Sequence, residues 1–290
     1  MVLKVTDMQE KNVHWFPGHM KKATIQIEER VKIVDVIIEL LDARAPLSSR
    51  NEKLYKITKD KKRLLILTKA DLADEKITKE WEKYFTSLGH LVVCLNLNEK
   101  KLINVIESKI NILGEEKHKR ELKRGMKPQP IRAMIIGIPN VGKSTLINRI
   151  SKRNAASVQN TPGHTRAQQW IKVDNSFELL DTPGILPANY EDKNKAINLA
   201  LIGSIKENIL PVDDLADILL NYLRNYYQND LETRFKITID DSDNNYDVLN
   251  KIALKRGLLN KGNGDINKAI ILLLKEFKDG LIGKISLERI

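Results

Sequence analysis

The run Gly137-Ile138-Pro139-Asn140-Val141-Gly142-Lys143-Ser144 has the spacing G-x-x-x-x-G-K-S, which suits one chemistry, the holding of nucleoside triphosphate phosphates. Glycines at 137 and 142 let the backbone curl until its N–H groups, from Asn140 through Val141, Gly142, Lys143, Ser144 and Thr145, face phosphate oxygens. Lys143 reaches the β- and γ-phosphates, and Ser144 offers a hydroxyl to Mg²⁺. A glycine-bearing turn that matches by chance is the competing reading. The context argues against it. The apolar run 131–136 ahead reads as a buried strand, and 144–150 behind reads as the start of a helix whose positive end points at the same place.

Two further short runs complement this loop. Asp181-Thr182-Pro183-Gly184 closes an apolar strand, where Asp181 can hold Mg²⁺ through water and Gly184 can give its N–H to the γ-phosphate. Thr165, in a polar loop, can offer its hydroxyl to the same Mg²⁺ while the γ-phosphate is present, which makes that loop a nucleotide-dependent switch. Thr68-Lys69-Ala70-Asp71 addresses the base. A carboxylate at Asp71 accepting both the N1–H and the exocyclic amine of guanine rejects adenine, which leaves those hydrogen bonds unmade. The stem of Lys69 can pack on the ring. Thr68 stands where GTPases usually carry Asn, and its hydroxyl can still bond locally. Asn96-Leu97-Asn98 falls where a backbone N–H would meet the guanine oxygen.

These runs need strand ends to position them, and the chain supplies strands in alternation with helices. Apolar stretches at 33–41, 63–67, 91–95, 131–136, 168–173 and 177–180 read as strands. Helical stretches at 19–31, 51–59, 76–88, 101–124 and 144–151 lie between them. The alternation predicts an α/β fold with a mostly parallel sheet and helices on both faces. The motif order is unusual: the base run at 68–71 precedes the phosphate loop at 137–144, the reverse of ordinary GTPases. A circularly permuted P-loop GTPase domain over 1–187 follows, because surface chain ends that lie close together tolerate permutation. Beyond it, 188–290 reads as a smaller helical domain with helices near 212–227, 246–256 and 266–277 and one weak strand signal at 235–239.

Composition narrows the partners. The net charge is +11, and residues 206–290 carry 13 basic against 14 acidic side chains, so the whole excess lies ahead of them. Residues 206–247 hold 4 basic and 10 acidic side chains, whereas 248–290 hold 9 and 4. A basic balance of this kind suits a polyanion such as RNA, with colloidal solubility as the bland alternative. One cysteine, Cys94, sits in an apolar strand run and cannot form an internal disulfide, which fits a reducing cytoplasm. No apolar run approaches the roughly 18–20 residues of a membrane span. A cytoplasmic monomer without membrane contact is the expectation.

Taken together, Trp15-Phe16-Pro17-Gly18-His19-Met20, Asp42-Ala43-Arg44-Ala45-Pro46, the permuted motif order, Gln168-Gln169-Trp170 and the helical C-terminal part resemble the bacterial ribosome biogenesis GTPase A family (RbgA, YlqF) over nearly the whole chain. The resemblance implies a GTPase that assists late assembly of the large ribosomal subunit, is stimulated by that particle, and contacts ribosomal RNA and proteins through its helical domain. It also bears on catalysis. Many GTPases place Gln directly after D-x-x-G to orient the attacking water, but Ile185 stands here and cannot do so. The resemblance points to His19 for that role, with helix capping beside Pro17-Gly18 as the other reading. Asn140 resembles the asparagine that helps hold K⁺ in potassium-activated GTPases, or else it stabilises the loop. Lys143 and Thr165 complete the expected catalytic set. GTP or GDP, Mg²⁺ and K⁺ are the expected ligands. The reading from a different class is a self-contained metabolic NTPase or kinase with no ribosome association.

Overall fold

A computed structural model describes residues 18–157, 170–173, 176–180, 182, 185–186, 192–205 and 210–290. Among the described residues six strands form one sheet: β1 Val36–Asp42, β2 Lys62–Thr68, β3 Leu91–Leu95, β4 Ile131–Ile136, β5 Trp170–Val173 and β6 Phe177–Leu180. Their order is β3-β2-β1-β4-β6-β5, all parallel except β5, which pairs antiparallel with β6. The first helices are α1 Gly18–Arg30, α2 Glu52–Thr58, α3 Glu75–Ser87, α4 Leu102–Lys123 and α5 Lys143–Ser157.

Every residue of β1 is buried, as a central parallel strand covered on both faces requires. Alternate residues therefore serve opposite layers. Ile38, Leu40, Leu64, Ile66, Ala133 and Ile135 pack with Ile106 and Ile110 of α4 and Leu146 and Ile150 of α5. On the other side Ile37, Met134 and Ile136 meet Ile27 of α1 and Leu54 of α2, while Leu41, Leu65 and Leu67 meet Ile77, Trp81 and Phe85 of α3. The expected α/β sheet with helices on both faces is what forms. Glu39, buried within β1, is paired with Arg63 of β2 at 2.5 Å.

After the sheet come α6 Lys193–Leu201, α7 Val212–Tyr226, α8 Gln228–Phe235, α9 Asn245–Lys255, the two-residue strands β7 Leu259–Asn260 and β8 Asn263–Gly264, and α10 Ile266–Lys278. The hydrophobic cluster under α4 and α5 continues into these helices through Ile197, Leu201, Leu219, Leu273 and Phe277.

Three local expectations are corrected. The strand predicted from residue 33 starts at Val36, and Val31–Ile33 is a 3-10 turn that leaves Ile33 about half exposed. The chain joins the sheet only at Asp35, whose N–H bonds Arg132 O at 2.7 Å and whose carboxylate takes Arg132 N at 2.9 Å and Lys117 Nζ at 2.8 Å. The weak strand signal at 235–239 is instead the end of α8, stopped by Lys236 in the left-handed region (φ +55°). The helices α6 and α8 also went unforeseen, since each is only about two turns long and shows a short apolar pattern.

Candidate functional site

The chain leaves β1 first toward β2 and β3, then crosses to β4 on the other side. The crevice at such a switch point, outside the carboxyl ends of the strands, is where open α/β sheets bind ligands. The two sequence-predicted halves of the site meet there. β4 runs directly into residues 137–142, and α5 begins at Lys143. Gly137 (φ +155°), Asn140 (φ +58°) and Gly142 (φ +106°) turn the backbone. A Cβ on Gly142 would lie 2.4 Å from Leu97 Cδ1, and one on Gly137 would lie 2.9 Å from the Leu40 carbonyl, so both glycines answer to close packing as well as to φ.

Lys143 is buried, and its ammonium donates to Gly137 O at 3.0 Å and Ile138 O at 2.7 Å. It folds back over its own loop. Asn140, Gly142, Lys143, Ser144 and Thr145 line a cavity of about 260 Å³, with Ser144 and Thr145 exposed at the first turn of α5. Val141 is fully buried beneath the loop. The donor set fits an anion with a hard cation beside it: a lysine, a helix N-terminus and a free-facing hydroxyl. Asn140 Nδ2 donates to Gly203 O at 2.8 Å, which ties the phosphate loop to the turn that ends α6.

At the end of β2, Thr68 is fully buried, and its hydroxyl lies 2.8 Å from Val141 O and 3.0 Å from Leu41 O. The threonine thus bonds locally, stitching the base loop to the phosphate loop. Lys69 adopts φ +55°, and its ammonium sits 2.9 Å from Asp42 Oδ2. Asp71 is exposed. Asn96 is half-buried and accepts Asn98 N at 2.8 Å, and Leu97 packs against Gly142 while its carbonyl takes Arg149 at 2.6 Å. The structure therefore gathers Thr68, Lys69, Leu97, Asn140, Val141, Gly142, Lys143 and Ser144 around one crevice. His19 falls in the first turn of α1. Thr165, Asp181 and Gly184 lie outside the described residues. Ile185, the residue that cannot orient water, is buried.

Two features of the site were not foreseen. One is the buried pair Asp42 and Arg44, whose spacing of two was legible but whose partner Lys69 was not. Burial alone would raise the Asp42 carboxyl, but the charges of Arg44 and Lys69 and their hydrogen bonds hold it below the usual carboxylate range. The other is a strap at the C-terminus. Ile285 N bonds Leu72 O at 3.0 Å, Asp74 N bonds Ser286 Oγ at 3.1 Å, and Leu287 N bonds Arg44 O at 2.7 Å. Glu288 accepts from Leu47 N at 2.7 Å, Ser48 N at 2.9 Å and the Ser48 hydroxyl. The only sequence signal for the strap is the apolar spacing of Ile282, Ile285 and Leu287. Cys94 takes no part: burial pushes its thiol up to about 12, so it stays protonated. Among the described residues no helix is long and apolar enough to cross a membrane.

Comparison with known proteins gives this geometry relatives. A family model described as 50S ribosome-binding GTPase matches residues 132–251, beginning at β4, so the base loop lies ahead of it. The chain is 42% identical over 277 residues to the "Ribosome biogenesis GTPase A" of Bacillus cereus, covering 95% of this chain and 93% of that protein. It is 34% identical to the protein of the same name from Thermotoga maritima, covering 95% and 94%. Among solved structures it resembles GDP-bound TM YlqF, with a TM-score of 0.63 and 28% identity over 91% of this chain and 98% of that one. The GNP-bound YlqF from T. maritima matches with a TM-score of 0.62 and 27% identity, covering 92% and 98%.

Proposed function

The chain belongs to the ribosome biogenesis GTPase A family and is a GTPase of ribosome biogenesis, and from that premise we propose that it acts late in assembly of the large ribosomal subunit, as a switch that the particle itself discharges. The observation that carries this reading is the bond from Asn140 of the phosphate loop to Gly203 at the end of α6. It gives the nucleotide loop a direct hold on the first helix after the sheet. The family model's description as a 50S ribosome-binding GTPase supports the choice of subunit.

In this reading the division at 187/188 separates a permuted GTPase domain from an RNA-binding helical domain. The backbone of residues 140–145 and the Lys143 ammonium hold the phosphates. Lys69 keeps its ammonium on the Asp42 carboxylate, its stem flanking the base, while Asp71 accepts the guanine N1–H and amine and Leu97 offers its N–H beside Asn96. Ser144, Thr165 and Asp181 would hold Mg²⁺, which would neutralise charge developing between the β- and γ-oxygens. Asn140 spends its amide N–H on Gly203 and keeps its oxygen, which would hold K⁺ as a second fixed charge. Gly184 gives its N–H to the γ-phosphate, Thr165 orders its loop only in the triphosphate state, and His19 orients the water that Ile185 cannot. The basic stretch 248–290, on α9, β7, β8 and α10, contacts RNA phosphates, so binding weakens as salt rises. The protein works as a cytoplasmic monomer.

The names of the relatives do not favour a self-contained metabolic NTPase or kinase. The test is GTP turnover measured alone and with large-subunit precursor particles. Slow intrinsic turnover, accelerated by roughly 10-fold or more on the particle and not in His19→Ala, supports the reading. Equal turnover with and without particles overturns it.

A further inference from the structure

The run Asp42-Ala43-Arg44 ends β1 beside the base loop, with Asp42 in register with Thr68. Asp42 is 0% exposed and Arg44 2%. All the acceptor capacity of the carboxylate is committed. Oδ1 takes Arg44 Nε at 3.0 Å and Arg44 N at 3.1 Å, and Oδ2 takes Arg44 Nη2 at 3.0 Å and Lys69 Nζ at 2.9 Å. A bidentate fork of this kind fixes the carboxylate plane as well as its place. The fixed carboxylate then fixes the end of Lys69.

Lys69 is constrained at its other end too, because its backbone is left-handed (φ +55°), a region a side chain rarely adopts. With backbone and ammonium both pinned, the four-carbon stem between them loses its rotamer freedom before any ligand arrives. A long lysine stem is a poor platform when free and a good one when preorganised.

Arg44 does a second thing. Its Nη1 donates to Lys278 O at 3.2 Å and its Nη2 to Ile202 O at 3.3 Å. Those carbonyls close α10 and α6, the positions where a helix leaves its acceptors unsatisfied. The guanidinium therefore joins the base platform to the ends of two helices of the C-terminal part.

We propose that Asp42 and Arg44 are positioning residues for base recognition: they hold the Lys69 stem in place for the guanine ring, and Arg44 makes that hold depend on the seating of α6 and α10. The proposal rests on the reading that the base lies against Lys69. A merely structural role for the pair would weaken every ligand of the crevice alike. A positioning role weakens ligands that carry a base and spares a base-free polyphosphate held by the phosphate loop.

The test displaces a fluorescent GDP analogue from the full-length protein with GDP and with inorganic tripolyphosphate. It uses the wild type, Asp42→Asn, Arg44→Lys, Lys69→Met and the Asp42→Asn/Lys69→Met double variant, with the melting temperature of each recorded. Asp42→Asn and Lys69→Met should each weaken GDP by about 10-fold, and the double variant by no more than about twofold beyond Lys69→Met, because the two act through one contact. Arg44→Lys, which keeps a cation beside Asp42 but cannot span both helix-end carbonyls, should weaken GDP by about threefold. Tripolyphosphate should stay within about twofold of wild type throughout. Losses that multiply to about 100-fold in the double variant, or tripolyphosphate weakening in step with GDP, overturn the proposal. If Lys69→Met leaves GDP affinity intact, the placing of the base falls and takes the proposal with it, whereas multiplying losses sink the proposal alone. If Asp42→Asn does not fold, Arg44→Lys combined with Lys69→Met runs the same cycle.

Discussion

At the end of β4 the phosphate loop is shaped by its own residues. Its glycines turn the backbone, Val141 anchors it from below, and Lys143 bonds back to Gly137 and Ile138. At the end of β2 the base loop is shaped by residues far away in sequence. Asp42 holds Lys69, Ile285 and Ser286 bond Leu72 and Asp74, and Gly280 packs so closely on Leu72 that a Cβ there would lie 2.6 Å from its Cδ2. Among the described residues the two loops touch through Thr68 and Leu97. A loop that largely holds itself, with the bond from Asn140 to Gly203 as its tie to the C-terminal part, can bind phosphate whether or not the C-terminal strap is seated. A loop held by the C-terminal strap depends on whether that strap is seated, and in the proposed reading this would be the route by which a docked particle and a bound base feel each other.

Three changes break or sharpen this contrast. Gly142→Ala has the largest expected effect, because it forces a side chain into Leu97 at a φ of +106°. It should weaken GDP and tripolyphosphate together by roughly 100-fold, the loss of about two charge-assisted hydrogen bonds, as checked by displacement of a fluorescent nucleotide. Removal of residues 285–290 should be smaller and selective. It takes away the buried side chains of Ile285 and Leu287, costing on the order of 3 kcal/mol of stability in denaturant titration. GDP should weaken about 10-fold with tripolyphosphate unchanged, and a parallel loss of both would erase the distinction between the loops.

Glu288→Gln is the gentlest. Burial pushes the Glu288 carboxyl above its ordinary value of 4.5, against the pull of the bonds from Ser48 and Leu47. A raised acid favours the protonated, folded state, so its contribution is full below 4.5 and fades as the pH rises through the raised value. Asp42 has the opposite sign, contributing above its ordinary 3.8 and losing that contribution as the pH falls. Glutamine stays neutral but sets an N–H₂ donor against Leu47 N or Ser48 N, so the variant should lose about 1 kcal/mol, or roughly 2–4 °C in melting temperature, at pH 4 and less at pH 8, where it also removes a buried charge. An equal shift at both pH values would remove Glu288 from the account.

The contrast also explains what could be read from the sequence. The phosphate loop was legible because its chemistry is local: eight consecutive residues carry the turn, the lysine and the hydroxyl. The parallel sheet was legible because β1, β2 and β4 are mostly buried on both faces and so read as mostly apolar runs. The support of the base loop was not legible, since it comes from pairings across more than 200 positions, such as Leu287 with Arg44 and Glu288 with Ser48. No periodicity encodes such pairings. Asp42 and Arg44 stood out as part of a family-like run, but only the fold brings them to Lys69. The helices α6 and α8 escaped notice because two turns show too few apolar positions to establish a period.

The central claim is that the nucleotide state governs association with the large-subunit precursor. Cell extract containing the full-length protein, sedimented through a gradient with a non-hydrolysable GTP analogue and in parallel with GDP, tests it most directly. Co-migration with large-subunit particles in the analogue and release in GDP is the predicted result. Identical distributions in the two nucleotides, or no association in either, would contradict it.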